Sequence, residues 1–268
     1  SRGLGDVYKR QVLVGSKEDY EAGAGSSEKF IARTAGADGN NLHVVIVDRG
    51  PDFTIVKSSH GLSVGGTYTD NAAVGHEVVE VVDVNTFRII QGTAAPTPAA
   101  GNTATVFSNS DWNATAIGST GLTYKEVGPR PGTSAYASER YLSNDEVHVA
   151  VIDTSTNTVV ERSLYLSKLS DGKSPEGAST YWKDYINEFS NYIYASALVT
   201  ADFTATGEDP GGTAASYGAT AAAPEVLATL HPSRSMGLSN GADAYAYSAG
   251  EISTAYTLFQ DTEETDLD

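Results

Sequence analysis

A run of continuous apolar residues between positions 42 and 48 predicts a buried strand. Its valines and isoleucine at positions 44–47 do not alternate with polar residues. A strand that is apolar on both faces is typical of a sheet covered on both sides. A Gly/Asn turn at 36–41 leads into this strand. We therefore predict that residues 12–48 begin a core domain in which this strand is buried.

Residues 49–130 show a different pattern, in which short strand-like runs are separated by Gly, Asn and Pro clusters. A Pro-containing loop at 92–102 and the sequence GPRPG at 128–132 interrupt regular structure. We predict a small all-β module inserted into the core domain. We expect that it faces outward and that residues 49–127 can be deleted without unfolding the hairpin and helix of residues 144–197. The predicted strands are 53–57, 76–83 and 86–91, with a hairpin turn at 83–85.

The core domain is predicted to resume over residues 131–203. Two strand-like runs at 146–153 and 158–167, joined by the turn 155–157, predict a hairpin. The apolar positions of residues 179–189 recur at helical spacing, which predicts an amphipathic helix with Ser179 as its N-cap. Residues 191–197 predict a further strand.

The last part of the chain divides into a loop and a helical segment. Residues 204–242 are rich in Gly, Ala and Thr and lack periodicity, which predicts an exposed loop with a short helix near 224–230. Residues 243–268 predict the start of a further core helix, at 249–260, and of a strand after it. The predicted fold class is therefore α+β: a mixed sheet-and-helix core domain interrupted by a small all-β module.

Composition excludes several classes of function. The 268 residues carry 34 Asp and Glu against 17 Lys and Arg, a net charge of -17, whereas a nucleic-acid surface needs clustered cations. No segment approaches the roughly 18 apolar residues of a membrane span, so we expect no membrane insertion. The absence of cysteine removes disulfides, thiolate zinc sites and cysteine nucleophiles.

The two ends of the sequence suggest a piece of a longer protein. Residues 1–11, SRGLGDVYKRQ, are more basic than the rest and match an in-frame translation of a transposon-end adapter used in sequencing libraries. We interpret them as an adapter-derived artefact, the alternative being a natural basic arm, and we exclude them from the fold prediction. The natural sequence then begins near Val12 without Met, and we expect truncation at both ends.

Two short motifs match the G-x-S-x-G elbow of serine hydrolases, GLSVG around Ser63 and GLSNG around Ser239. So short a pattern arises by chance in a chain rich in Gly and Ser. The residues before each serine are polar, whereas an elbow requires a buried strand that runs into the serine. We therefore predict loop glycines and no catalytic residue.

The histidines lie singly along the chain, without the H-x-H or H-x-x-x-H spacing of a metal site. Those at 43 and 148 stand among valines, where we expect hydrogen-bonded structural side chains. The acidic run at 261–268 lacks the Asn and Gly of a calcium-binding loop and is read as a solvated face. We predict no metal-binding and no cofactor-binding residues. The five histidines are His43, His60, His76, His148 and His231.

Three stretches, taken in order, resemble the tail sheath protein of contractile-tailed bacteriophages. FIARTAGADGNNLHVVIVD at 30–48 is similar to the family's Ala-Arg, Gly-Asn turn and strand. PGTSAYASER at 131–140, with residues 144–195, resembles its hairpin, Ser-Lys stretch, Tyr-rich helix and following strand. Residues 235–268 resemble the Gly-rich approach to the next core helix and its acidic end. The segment 58–89 looks like a small β bead that decorates many virion proteins.

The resemblance implies a structural virion protein and no enzyme. Sheath subunits surround a tail tube, and contraction drives the tube through the host envelope for genome ejection. The implied partners are other copies of the sheath protein, the tail tube protein and the baseplate, with no cofactor and no direct contact to nucleic acid. The implied location is the virion tail, assembled in the bacterial host cytoplasm. In the family, terminal arms join neighbouring subunits, so without them we expect a monomer or weak association.

Two alternatives stay open at this point. A β-bead adhesin or decoration protein of the virion also fits the Gly- and Thr-rich strands at 53–108. Such a fibre would not need the mixed segment at 144–197 or the helix at 249–260. A secreted acidic hydrolase would need Ser63 or Ser239 within hydrogen-bond distance of a histidine that itself contacts a carboxylate.

Overall fold

The computed structural model describes residues 20–22, 30–34, 36–117, 120–196, 233–239 and 241. Strands predominate over short helices, and the predicted α+β class is confirmed. The helices are α1 (Asn109–Ala114), α2 (Tyr124–Val127), α3 (Ala135–Ser138) and α4 (Trp182–Phe189), with a 3-10 helix at Ala37–Asn41. The strands are β1 (Phe30–Ala32), β2 (Leu42–Val47), β3 (Phe53–Val56), β4 (Thr67–Thr69), β5 (Gly75–Asp83), β6 (Thr86–Ile90), β7 (Thr103–Val106), β8 (Glu146–Asp153), β9 (Thr158–Ser167), β10 (Ile193–Ala195) and β11 (Ser233–Gly237).

A four-stranded antiparallel sheet, the core sheet, has the order β11-β2-β8-β9. Strand β2 is apolar on both faces because both faces are covered. Val44 lies in the same buried cluster as Trp182 of α4, and Val45 lies in a second cluster with Trp112 of α1. The prediction of a strand buried on both sides is therefore confirmed.

The hairpin and the helix that follow it lie close to their predicted positions. Strands β8 and β9 have the predicted bounds. Helix α4 begins at Trp182, later than predicted, and its N-cap is Tyr181 instead of Ser179. The physical reason is that residues before the helix are extended: Tyr181 forms a bridge with Ser167, and Ser179 forms one with Lys173. Strand β10 is shorter than predicted and pairs with β1.

A five-stranded sheet, the inserted sheet, has the order β4-β5-β6-β3-β7 and lies in the connection between β2 and β8. All its pairings are antiparallel. Its own small core is centred on Ile55, Phe87 and Ile89, which are fully buried. It therefore has a hydrophobic cluster separate from those on the two faces of the core sheet.

Helices α1 and α2, which the sequence pattern assigns to the inserted module, pack on the core sheet instead. Trp112 of α1 and Tyr124 of α2 have ring centroids 4.5 Å apart. Both lie in one buried cluster with Val45 of β2 and Ile152 of β8. The inserted sheet ends at β7 because the residues after it bury their aromatic rings against the core sheet.

Strand β11 lies inside the segment that the sequence predicted as a loop at 204–242. It pairs antiparallel with β2, with Gly237 opposite His43. Its sequence, SRSMG, shows no alternation, so pairing to a neighbouring strand rather than its own pattern defines it. The predicted helices near 224–230 and at 249–260, and residues 1–11, lie outside the described residues.

Candidate interaction surfaces

Ser63 lies in the exposed loop between β3 and β4. The histidine nearest to it in sequence, His60, uses both ring nitrogens on backbone atoms. Its Nδ1 accepts the N–H of Leu62 at 2.9 Å, and its Nε2 donates to the carbonyl of Asp83 at 2.8 Å. His60 therefore offers no ring nitrogen to the hydroxyl of Ser63.

Ser239 is exposed and lies two residues after the end of β11, so it does have a strand before it, which the sequence did not predict. Strand β11 is an edge strand of the core sheet in the described part of the chain. Two residues later the chain is not helical: the N–H of Gly241 donates to Asn40 Oδ1 at 2.7 Å, and Asn40 Nδ2 donates to its carbonyl at 2.8 Å. A nucleophile elbow instead turns from strand into helix.

His60, His76 and His148 have structural surroundings, whereas the hydrogen bond expected for His43 is not found at its Nδ1, which is buried without a partner among the described residues. Among the residues that the structure describes, no three His, Asp or Glu side chains are close enough together to hold a metal ion. His76 is buried in the inserted sheet, where its Nδ1 accepts the N–H of Gly92 at 3.0 Å and its Nε2 lies 3.5 Å from Asp70 Oδ2. Hydrogen bonds from backbone N–H groups, that of Thr97 first, lower the pKa of Asp70. His231 lies outside the described residues.

No helix in the described part of the chain is both long enough and apolar enough to cross a membrane.

His148, in β8, is fully buried and joins three segments. Its Nδ1 accepts the N–H of Tyr165 at 3.0 Å, and its Nε2 donates to the carbonyl of Pro129 at 2.6 Å. Burial lowers the pKa of His148. Tyr165 sits in a bulge of β9 with a φ of 56°, in the left-handed region, where two residues of β9 stand opposite one of β8. The structural role expected for this histidine agrees with these contacts.

The chain enters and leaves the inserted sheet through a neck, which consists of residues 49–52, Phe107 and Arg130. The guanidinium of Arg130 donates to three consecutive backbone carbonyls of the 49–52 segment. The N–H of Phe107 donates to the carbonyl of Asp52 at 2.8 Å. The carboxylate of Asp52 accepts the N–H of Gln91 at 2.9 Å and lies 3.6 Å from Arg130. These contacts hold the two crossing segments together.

A buried polar cluster lies beside the neck, at the end of the core sheet where β2 and β9 finish. The Nζ of Lys168 lies 3.2 and 3.0 Å from the two carboxylate oxygens of Asp48, and both side chains are almost completely buried. Asp145, just before β8, accepts hydrogen bonds from the backbone N–H and the hydroxyl of Ser134 and from the hydroxyl of Ser167. Lys168 therefore neutralises the charge of Asp48, and neutral donors satisfy the carboxylate of Asp145 by hydrogen bonds.

Two surface features stand out in the described residues. The side chain of Tyr141, in the turn after α3, is 99% exposed, and its φ is 59°. A cavity of about 340 Å³ opens between α1, α2 and the segment that leads to the neck. Its lining residues are Asn109, Trp112, Asn113, Lys125, Gly128, Pro129 and Arg130.

Comparison with known proteins gives one partial similarity. No protein-family model matches the chain. Over 82 residues, the chain is 29% identical to the tail sheath protein of Salmonella phage ViI. The match covers 30% of this chain and 12% of the length of that protein, so the chain spans a small part of its relative. The similarity indicates a distant and partial relationship to tail sheath proteins, which is the family that the sequence resembles.

Proposed function

We propose that this chain is part of a subunit of a contractile phage tail sheath, which surrounds the tail tube and contracts to drive it through the host envelope for genome ejection. The observation that carries the proposal is the similarity to the tail sheath protein of Salmonella phage ViI. In this proposal the partners are other copies of the sheath protein, the tail tube protein and the baseplate. The protein is assembled in the host cytoplasm and resides in the virion tail.

The proposed function requires rigid subunits with surfaces for one another, and no reactive site. Contacts between different surfaces of identical subunits produce open helical assemblies. Contraction is then a rigid-body rearrangement of subunits from a metastable lattice to one with better contacts. The neck supports this role because Arg130 ties the inserted sheet to the core sheet through three backbone carbonyls. The same contacts fix the inserted sheet on the core sheet, so that the subunit can move as one rigid body.

We also propose that the chain is not an enzyme. The support is local: both ring nitrogens of His60 are engaged by the backbone, so the Ser63 motif has no base there. The β-bead adhesin is the less favoured alternative. An all-β fibre would not need a core sheet covered on one face by α4 and on the other by α1 and α2.

Electron microscopy tests the proposed function directly. The full-length gene that contains this sequence is co-expressed with a tail tube gene of a contractile-tailed phage, and the particles are imaged. We expect tubes enclosed by a helical sheath, and bare tubes when the sheath gene is omitted. An antibody to residues 53–106 should decorate the outside of the sheath. Tubes that stay bare with both genes expressed, or antibody found on fibres, would contradict the proposal.

A further inference from the structure

In the described part of the chain, the inserted sheet and the core sheet do not share a hydrophobic core. The buried residues of the inserted sheet form a cluster of their own, and the core sheet has separate clusters on its two faces. Two bodies without a large apolar interface are expected to move relative to each other. The polar contacts of the neck therefore decide whether the inserted sheet has one orientation on the core sheet.

Asp52 lies at the centre of the neck. Its backbone N–H donates to the carbonyl of Ile89 in β6, and its carbonyl accepts the N–H of Phe107, both at 2.8 Å. Its carboxylate accepts the N–H of Gln91 at 2.9 Å and hydrogen bonds from the guanidinium of Arg49. Asp52 therefore joins the segment that enters the inserted sheet to the end of β6 and to the segment that leaves the sheet.

Two arginines rely on the carboxylate of Asp52 for charge compensation. Among the described residues, Asp52 is the only acid that pairs with Arg49 or with Arg130, whose guanidinium lies 3.6 Å from Asp52 Oδ1. Burial lowers the pKa of Arg130, the charge of Asp52 raises it, and the charge of Arg49 lowers it. Loss of the carboxylate leaves two partly buried cations beside each other, which favours their separation.

The other end of the neck is attached to a buried part of the core sheet. The N–H of Arg49 donates to Asp48 Oδ1 at 2.7 Å, and Asp48 forms the buried ion pair with Lys168. Arg49 therefore contacts the core sheet through its backbone and Asp52 through its guanidinium. The carboxylate of Asp52 thus connects this buried part of the core sheet to β6 of the inserted sheet.

We propose that Asp52 is a positioning residue, whose carboxylate gives the inserted sheet a single orientation on the core sheet. The alternative is that the backbone contacts and the ring of Phe107, which the guanidinium of Arg88 covers at 4.9 Å, are sufficient. The carboxylate would then add stability only. The inference rests on the proposed sheath function, to which it adds the residue that keeps the two sheets of a subunit in one arrangement during a rigid-body rearrangement.

Spin labels on the two sheets test the proposal, since the chain has no cysteine of its own. Val84→Cys, in the exposed turn between β5 and β6, and Glu188→Cys, exposed on α4, are introduced together and labelled. Double electron–electron resonance then measures the distribution of distances between the two labels. We expect a single narrow distribution in the chain with Asp52. We expect its loss, in favour of a broad distribution, in Asp52→Asn, which removes the charge but keeps the size of the side chain.

Asp153→Asn is the matched control. The carboxylate of Asp153 also accepts two hydrogen bonds, from Ser155, but Asp153 pairs with Leu42 at the end of β2 that is distant from the neck. It should keep the narrow distribution. Tryptophan emission and urea unfolding show whether each variant is folded. A narrow distribution in folded Asp52→Asn protein, or equal broadening in Asp153→Asn, would overturn the proposal. An Asp52→Asn chain that does not fold would also overturn it, because the carboxylate then supports the fold and not the orientation.

Proteolysis gives a second measurement that needs no labels. Trypsin cleaves after arginine, and the side chain of Arg49 is only 15% exposed while it binds Asp52. Cleavage between Arg49 and Gly50 should be at least about tenfold faster in Asp52→Asn, because hydrogen bonds to charged groups have a strength of this order and cleavage follows the population of the open form. Asp153→Asn should be cleaved at the natural rate, and mass spectrometry identifies the site. Equal rates in all three proteins would contradict the proposal.

Both measurements use the isolated chain, so their outcome is independent of sheath assembly. If tubes gain a sheath but Asp52→Asn keeps the narrow distribution, the positioning role is wrong and the proposed function stands. If Asp52→Asn loses the narrow distribution but tubes stay bare with the unsubstituted protein, the proposed function is wrong and the role of Asp52 within the chain stands.

Discussion

His148 illustrates how one buried side chain can fix the backbone around it. Its imidazole acts as an acceptor toward Tyr165 and as a donor toward Pro129, so only the neutral ring satisfies both contacts. A second proton would remove the acceptor and place an N–H against the N–H of Tyr165. Burial already lowers the pKa of His148, in agreement with this requirement.

Stability should consequently depend on the protonation of His148. An unfolded histidine has a pKa of about 6.5, above the lowered value in the fold, so the unfolded chain takes up the proton first. The contribution of neutral His148 to the free energy of unfolding is complete above about pH 6.5 and is lost as the pH falls toward the pKa of His148 in the fold. Urea unfolding of the natural chain and of His148→Gln, between about pH 8 and pH 5, measures it. The stability difference between the two should shrink at low pH, and a constant difference would rule out this role.

The ion pair between Lys168 and Asp48 carries a second prediction at this scale. Removal of one partner leaves the other charge buried, so Lys168→Ala should lower the free energy of unfolding by about 3–5 kcal/mol. The double variant Asp48→Leu with Lys168→Met replaces the pair by apolar side chains and should cost much less than the sum of the single variants. Chemical denaturation of the unsubstituted chain, the two single variants and the double variant gives the coupling energy of the pair. Additive costs would show that the two side chains are not coupled.

At the scale of elements, the sequence predicts those strands whose bounds depend on neighbouring residues in the chain. The bounds of β8 and β9 follow from strand-like runs on either side of a short turn, and they are confirmed. Strand β11 could not be predicted, since its residues become a strand only by pairing with β2. The exposure of Tyr141 and the cavity beside Trp112 depend on residues that are distant in sequence, so no sequence motif predicts them.

Helices α1 and α2 were missed although their capping signals are present in the sequence. Ser108 with Asp111, and Thr123 with Glu126, form capping boxes at the two helix starts. Both helices are very short and stand next to β-rich sequence, which led to their assignment to the inserted module. Their pairing of Ser or Thr with an acid three residues later was the signal that could have located them.

The capping box of α2 should make a measurable contribution. The side chain and the N–H of Thr123 donate to the carboxylate of Glu126, and these hydrogen bonds lower the pKa of Glu126. Thr123→Ala should lower the free energy of unfolding by about 1 kcal/mol at pH values above the ordinary glutamate pKa of about 4.3. At lower pH the effect should be smaller, because protonation of Glu126 weakens the capping box in both proteins. Thermal or urea unfolding checks this, with Ser110→Ala as an exposed helical control. Equal effects of the two substitutions would contradict it.

On the scale of the whole molecule, the inserted sheet connects to the core sheet at a narrow crossing. The carbonyl of Asp52 accepts the N–H of Phe107 at 2.8 Å, so the chain leaves the sheet where it entered. A loop whose ends are already adjacent can be shortened at little entropic cost. The inserted sheet also has a buried cluster of its own, centred on Phe87. Removal of residues 53–106 therefore takes away the hydrophobic core of the inserted sheet and leaves the two clusters on the faces of the core sheet.

Two deletions distinguish this boundary from the one that the sequence pattern suggested. Replacement of residues 53–106 by a short Gly-Ser linker should leave the core sheet folded. Deletion of 49–127 removes Trp112 and Tyr124 from the cluster that covers β2 and β8, and it should unfold the core. Far-UV circular dichroism and cooperative urea unfolding compare the two proteins with the natural chain.

Tryptophan emission gives the sharpest readout, because the chain's two tryptophans, Trp112 and Trp182, lie on opposite faces of the core sheet and both are buried. The shorter deletion keeps both and should retain the natural emission maximum. The longer deletion keeps only Trp182, whose emission should shift to the red as water reaches the opened sheet. A folded, cooperative protein without residues 49–127 would show that α1 and α2 belong to the module after all. An unfolded protein without residues 53–106 would show that the inserted sheet supports the core.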